Sequence, residues 1–201
     1  METIIFMVGM IIFSATSMLF FVLKKENEKV ATINMMVNFI TIASYILMIS
    51  GLGAIPAANG QMIYWTRWAF YAASCSFLMV EISMILGKNK KKMVEIISLN
   101  VLVMVTGLLA SVTEGVIKWL FFIYSSVAFF LILVELIRNS NKKFITMFVL
   151  FFWSGFPVVW IFSPAGLMIL DAMWTAISYL ILDLITKVYF GIHTTRKYKE
   201  I

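Results

Sequence analysis

Four ionisable residues stand inside long apolar runs of this chain: Arg67, Glu81, Asp183 and Lys187. Asp183 and Lys187 lie four residues apart in Leu182-Asp183-Leu184-Ile185-Thr186-Lys187. On a helix that spacing puts the carboxylate and the amine on one face, about 6 Å apart along the axis. A charge near the centre of a bilayer costs at least ~3 kcal/mol. The pair must offset that cost through mutual attraction or through a function, and the chemistry open to it is holding, balancing or passing a proton.

Spacing alone leaves alternatives open. Asp183 and Lys187 also read as a structural ion pair, a kind that apolar groups can replace at little cost. Glu81 also reads as a hydrogen-bonded core carboxylic acid, and Arg67 as a side chain reaching out to the interface. His193, the single histidine, reads as an interfacial imidazole or as a proton exit. Glu95 and Glu135 read as solvated or as partners of loop lysines.

The elements that must position these groups follow from composition. Of 201 residues, 62% are hydrophobic and 13% charged. That is an integral membrane protein, and an all-α one, because backbone polar groups in lipid must be satisfied within their own segment. Seven apolar segments fall at about 4–23, 30–51, 61–86, 93–112, 116–138, 144–162 and 167–194. Each is near the ~20 residues a bilayer needs. The links are short, so 1–201 reads as a single seven-helix domain. Cys75 is the lone cysteine, which excludes an internal disulfide and a cysteine-rich metal site. No basic region precedes the first run, so it reads as a retained helix rather than a signal peptide.

The net charge of +6 does not point to nucleic acid, because the basic residues sit in short loops. Lys24, Lys25, Lys29, Lys88, Lys90, Lys91, Lys92, Arg138, Lys142, Lys143, Arg196, Lys197 and Lys199 all fall on one side of the bundle. These are thirteen of the 16 Lys and Arg, and they predict a cytoplasmic C-terminus and an external N-terminus.

Seven helices with a Lys in the last, one turn after an Asp, resemble a microbial rhodopsin. Leu182 to Gly191 is similar to that family's retinal-binding motif. Trp153-Ser154-Gly155-Phe156-Pro157-Val158-Val159-Trp160 is similar to its Trp/Pro/Trp pocket. The stretch from Arg67 to Glu81 aligns without gaps to its functional third helix. There, Phe70, Ser74 and Glu81 form the triplet that marks the schizorhodopsins, a group from Asgard archaea.

The resemblance implies all-trans-retinal joined to Lys187 as a protonated Schiff base, with Asp183 as counterion and Arg67 beyond it. It places Trp153, Phe156, Pro157, Trp160, Tyr71, Cys75, Asn100 and Gly107 around the retinal. Cys75 and Asn100 resemble a pair that links the third and fourth helices of relatives. Phe156 stands where a Tyr often bonds the counterion, so Asp183 is expected to lack one donor. Phe70 stands where proton exporters carry their acceptor Asp.

An inward proton pump is therefore expected, a transporter and not an enzyme, taking protons from outside and releasing them to the cytoplasm with help from Glu81. A sensory photoreceptor, a light-gated ion channel and a retinal-free transporter are the competing readings. The expected setting is the cell membrane, with multiple passes and no resident metal. Relatives are often homotrimers, and the resemblance carries that expectation too.

Overall fold

The computed structural model describes residues 2–57, 60–138 and 140–198. Asn139 in the fifth link and Lys199 in the basic tail lie outside the described residues. Among the described residues, seven helices are long and apolar enough to cross a membrane. They are α1 (Glu2–Leu23), α2 (Glu28–Ile49), α3 (Trp65–Ile85), α4 (Lys90–Val112), α5 (Gly115–Ile137), α6 (Lys143–Phe162) and α7 (Ala172–Lys197). Each satisfies its backbone internally, and the exposed large side chains are apolar, as lipid requires.

Local residues set the helix ends. The side chains of Asn27, Asn89 and Asp171 accept from the backbone N–H of Val30, Lys92 and Trp174, capping α2, α4 and α7. Gly87 closes α3 with φ of 66°, a backbone shape that glycine adopts without strain. Lys88 Nζ then donates to the carbonyls of Glu135 and Arg138 at the end of α5, tying two lysine-bearing links together. Lys92 pairs with both Glu95 and Glu135, the partnering expected of those acids.

Two boundaries differ from expectation. Residues 62–64 are a strand, not the start of the third helix. β1 (Ala54–Pro56) and β2 (Met62–Tyr64) pair antiparallel, with Ile55 opposite Ile63, so α3 begins only at Trp65. The last helix begins at Ala172 rather than near 167. Residues 163–171 are held as turns by Ser163, whose hydroxyl bonds Trp160 O and the Ala165 N–H, until Asp171 caps α7.

Two helices also depart from α geometry. α6 widens to a π-helix over Val149–Trp153 and α7 over Leu184–Tyr189. Such widened turns are rare and recur at functional sites. α1 packs on α2, α2 on α3, α3 on α4 and α4 on α5, and α7 returns to α1 and α2. One core cluster fills the lysine-loop end of the bundle around Ile82, Ile132, Ile145 and Phe190. A second joins α1, α2 and α7 through Phe6, Phe13, Tyr45 and Leu180.

Candidate functional site

Asp183 ends the α-helical part of α7, and Lys187 sits inside its widened turn. Both are 1% exposed. Lys187 Nζ is 2.8 Å from Asp183 Oδ1, but the two atoms lack hydrogen-bond alignment. The amine is held by charge, and its N–H directions remain unspent. The other carboxylate oxygen is crowded with donors. Tyr71 Oη donates to Oδ2 at 2.7 Å and Tyr45 Oη at 3.3 Å, while Arg67 Nη1 stands 3.9 Å away. Arg67 in turn donates to Tyr71 Oη at 3.0 Å and lies over the Tyr179 ring, 4.5 Å from its centroid.

Phe156 gives Asp183 no donor from α6, and Tyr71 and Tyr45 supply donors from α3 and α2 instead. Tyr71 meets Phe156 edge-on at 5.6 Å. It also supports the amine, with Lys187 Nζ 4.0 Å from its ring centroid.

An apolar cavity opens beside this pair. The space between atoms there, open solvent at its mouth included, is about 870 Å³. Tyr71, Cys75, Asn100 and Gly107 wall it from α3 and α4, and Trp153, Phe156, Pro157 and Trp160 from α6. Trp160 stacks on Phe122 at 4.5 Å and donates through Nε1 to Ser111 Oγ at 2.8 Å, which fixes its plane. Gly107 is needed for space: a Cβ there would lie 2.4 Å from Trp68 Cζ3. The α3–α4 link is a further correction. Asn100 Nδ2 donates to Ala72 O and Ser76 Oγ, the neighbours of Cys75's own turn, and not to Cys75.

Phe70 is half-buried and is not among the cavity's walls. Tyr71, the next residue, is the ring of that stretch that lies against the amine. Ser74 is fully buried with its hydroxyl unpaired. Glu81, fully buried toward the lysine-loop end, accepts through Oε1 from Thr194 Oγ1 at 2.5 Å, while Oε2 has no partner. His193 packs its ring 4.3 Å from that of Phe144, with Nε2 unpaired.

Tyr45, Thr194 and Asn34 were not singled out by the sequence. One signal existed. Asn34, Asn38, Thr41 and Tyr45 recur at three- and four-residue steps in an apolar segment, which lines one helix face, and all are buried.

The fold and site define a class: a seven-helix membrane protein with a buried lysine–carboxylate pair at the end of an aromatic cavity. The family model described as "Bacteriorhodopsin-like protein" matches residues 1–200, and the chain belongs to that family. Its structure superimposes on crystalline schizorhodopsin 4 with a TM-score of 0.95 and 58% identity, covering 98% of this chain and 100% of that one. This places it among the microbial rhodopsins of the schizorhodopsin subfamily. Bacteriorhodopsin-II of Haloarcula marismortui is 26% identical over 94% of this chain and 82% of its own length. The light-driven proton pump LR (Mac) from Leptosphaeria maculans shares the fold alone: TM-score 0.90 at 16% identity, over 98% of this chain and 94% of that one.

Microbial rhodopsins of this kind are light-driven ion pumps, multi-pass transporters rather than enzymes, and the family implies a retinal chromophore. The residues fit that group. A long apolar cavity suits a polyene, and the unspent amine of Lys187 suits a carbonyl carbon.

Proposed function

We propose that the chain is a light-driven proton pump that moves protons inward, with its lysine-bearing links in the cytoplasm and the β1–β2 hairpin outside. All-trans-retinal, bound to Lys187 as a protonated Schiff base, would supply light absorption and an isomerisation that weakens the hold of the Lys187 nitrogen on its proton. Asp183 balances the positive charge of that nitrogen in the dark. Trp153, Pro157 and Trp160 hold the chain of the ligand, and Gly107 leaves it room.

The observation that carries the direction is the state of the two carboxyl groups. On the Arg67 side, Asp183 Oδ2 is already engaged by two phenols and faced by a guanidinium. That oxygen already holds two donors and has little room for an incoming proton. Phe70 stands where a second outer carboxylate would be, so no other acceptor is offered there. On the opposite side, Glu81 is buried with one oxygen unengaged. The proton released from Lys187 therefore passes toward Glu81 and the cytoplasm. Ser74, buried and unpaired on the same face of α3, supports a water on that route. Reuptake runs from outside past Arg67, Tyr71 and Asp183.

The test is the light-induced pH change in a suspension of cells expressing the protein with retinal. External alkalinisation that a protonophore abolishes is expected, and acidification overturns the proposal. Glu81→Gln should keep the colour and lose most of the transport. A homotrimer is carried with this reading, and the mass of the detergent-solubilised complex checks it.

A further inference from the structure

The start of α6 and the end of α7 meet in a seam of cations and rings. Lys142 precedes α6, and its Nζ stands 5.3 Å from the ring centroid of Tyr198, just beyond α7. Lys197, the last residue of α7, returns the contact: its Nζ stands 5.5 Å from the ring of Phe144. Lys143 opens α6 between Lys142 and Phe144 and is exposed. Asn27 Nδ2 donates to Tyr198 O at 2.5 Å and anchors that end of the chain. Among the described residues no carboxylate pairs with Lys142, Lys143 or Lys197. Their neighbours differ: Arg196 Nε lies 4.0 Å from Glu26, and Lys92 holds both Glu95 and Glu135. Contact with a ring fixes where an ammonium sits and leaves its N–H groups for an acceptor. Gathering like charges without a counterion is unfavourable.

Below the lysines the seam is apolar. Phe144, Met147 and Phe151 recur at steps of three and four on α6 and are 37%, 61% and 74% exposed, so they form one outward stripe. From Lys143 to Phe151 the helix descends about 12 Å, against the ~15 Å of one leaflet's hydrocarbon. Toward α7 the contacts are rings: Phe144 packs on His193, and Phe148 on Tyr189 and Phe190. Among the described residues, no hydrogen bond or ion pair joins residues 142–153 to residues 184–198.

We propose that this seam binds one anionic phospholipid from the leaflet on the side of the lysine-bearing links. Its phosphate is held by Lys142, Lys143 and Lys197, and an acyl chain lies along Phe144, Met147 and Phe151. Charge selects the headgroup. A zwitterionic lipid brings a cation of its own into the cluster and gains less, whereas a net negative one neutralises it. Depth selects a lipid over a soluble anion, because the stripe continues into the hydrocarbon directly under the cations. The bound headgroup would give α6 and α7 a polar tie at the end where the protein itself supplies ring contacts. The inference stands apart from the direction of proton transport.

The test uses the full chain with retinal, purified in mild detergent and titrated with phosphatidylglycerol or phosphatidylcholine. Native mass spectrometry reads the bound lipid, and thermal unfolding reads its effect. Phosphatidylglycerol should be retained as a single adduct and raise the Tm, and phosphatidylcholine should do neither. Near a membrane each basic residue strengthens anionic-lipid binding about fivefold. The triple variant Lys142→Gln, Lys143→Gln, Lys197→Gln should therefore weaken phosphatidylglycerol binding about a hundredfold. Lys24→Gln, Lys25→Gln, Lys29→Gln removes the same charge from the α1–α2 link and should leave binding within about twofold of wild type. Equal loss in the two triple variants would mean general attraction to the basic face and overturns the proposal. Equal retention of the two lipids overturns it as well, and so does inorganic phosphate that raises the Tm as far as phosphatidylglycerol does.

Discussion

Tyr71 Oη stands between two charges, accepting from Arg67 at 3.0 Å and donating to Asp183 at 2.7 Å. One phenol thus joins a guanidinium to the carboxylate that faces Lys187. The oxygen is neutral, so it links the two charges without adding one of its own.

Tyr71→Phe removes that link and keeps the ring. A hydrogen bond to a charged group is worth about 1.5–3 kcal/mol, and thermal unfolding should register a loss of that order. With one donor fewer, the charge on Asp183 is less spread and pulls harder on the cation at Lys187. The visible absorption should move to shorter wavelength, and an unchanged spectrum would refute the coupling.

Lys187→Ala should give a colourless protein when all-trans-retinal is added. Removing one partner of a buried pair usually costs ~3–5 kcal/mol. Here the loss should be smaller, because Arg67, Tyr71 and Tyr45 still surround Asp183. Circular dichroism should therefore still report a helical bundle. A visible band in this variant would mean that retinal is attached elsewhere.

Gly107→Ala tests the cavity's dimensions. The added methyl would press on Trp68, 2.4 Å away, at an overpacking cost of ~1–3 kcal/mol. Less pigment should form per mole of protein, with a shifted maximum. Full pigment yield at the wild-type wavelength would show that the wall at Trp68 yields freely.

Tyr64 at the hairpin end gives a pH dependence. Burial, and next its hydrogen bond to Glu2 at 2.6 Å, raise its phenol above the ordinary value. The folded chain thus binds this proton more tightly than the unfolded chain. The resulting stability is whole below pH ~10, the ordinary tyrosine value, and is lost as pH climbs above it. The Tm advantage of wild type over Tyr64→Phe should hold steady up to that point and shrink beyond it. An advantage that grew with alkalinity would reverse the assignment.

The charged residues of the site were legible because lipid makes them conspicuous. Lys187, Asp183, Glu81 and Arg67 stand out in apolar runs, and Trp153 and Trp160 flank a proline in a recurring pattern. The donors were not legible. Tyr45 read as packing and Tyr71 as a wall of the retinal pocket, since nothing local distinguishes a tyrosine that bonds a distant carboxylate. The widened turns of α6 and α7 were hidden for another reason. A helix apolar on most sides has little hydrophobic periodicity, so an extra residue in a turn leaves no trace in the pattern. The late start of α7 was masked likewise, because Leu167, Met168 and Ile169 are apolar yet exposed in a turn.

The widened turn at Leu184–Tyr189 acts as a phase shifter in the last helix. One residue of an α-helix corresponds to about 100° of rotation. A residue taken up inside the wide turn re-indexes everything after it against everything before it. Asp183 is thereby aimed by the first half of the helix at Tyr71 and Arg67, and Thr194 by the second half at Glu81. The two ends of the proposed proton route are set by separate dials on one continuous chain, and deleting a single residue between them would keep both groups and misalign them.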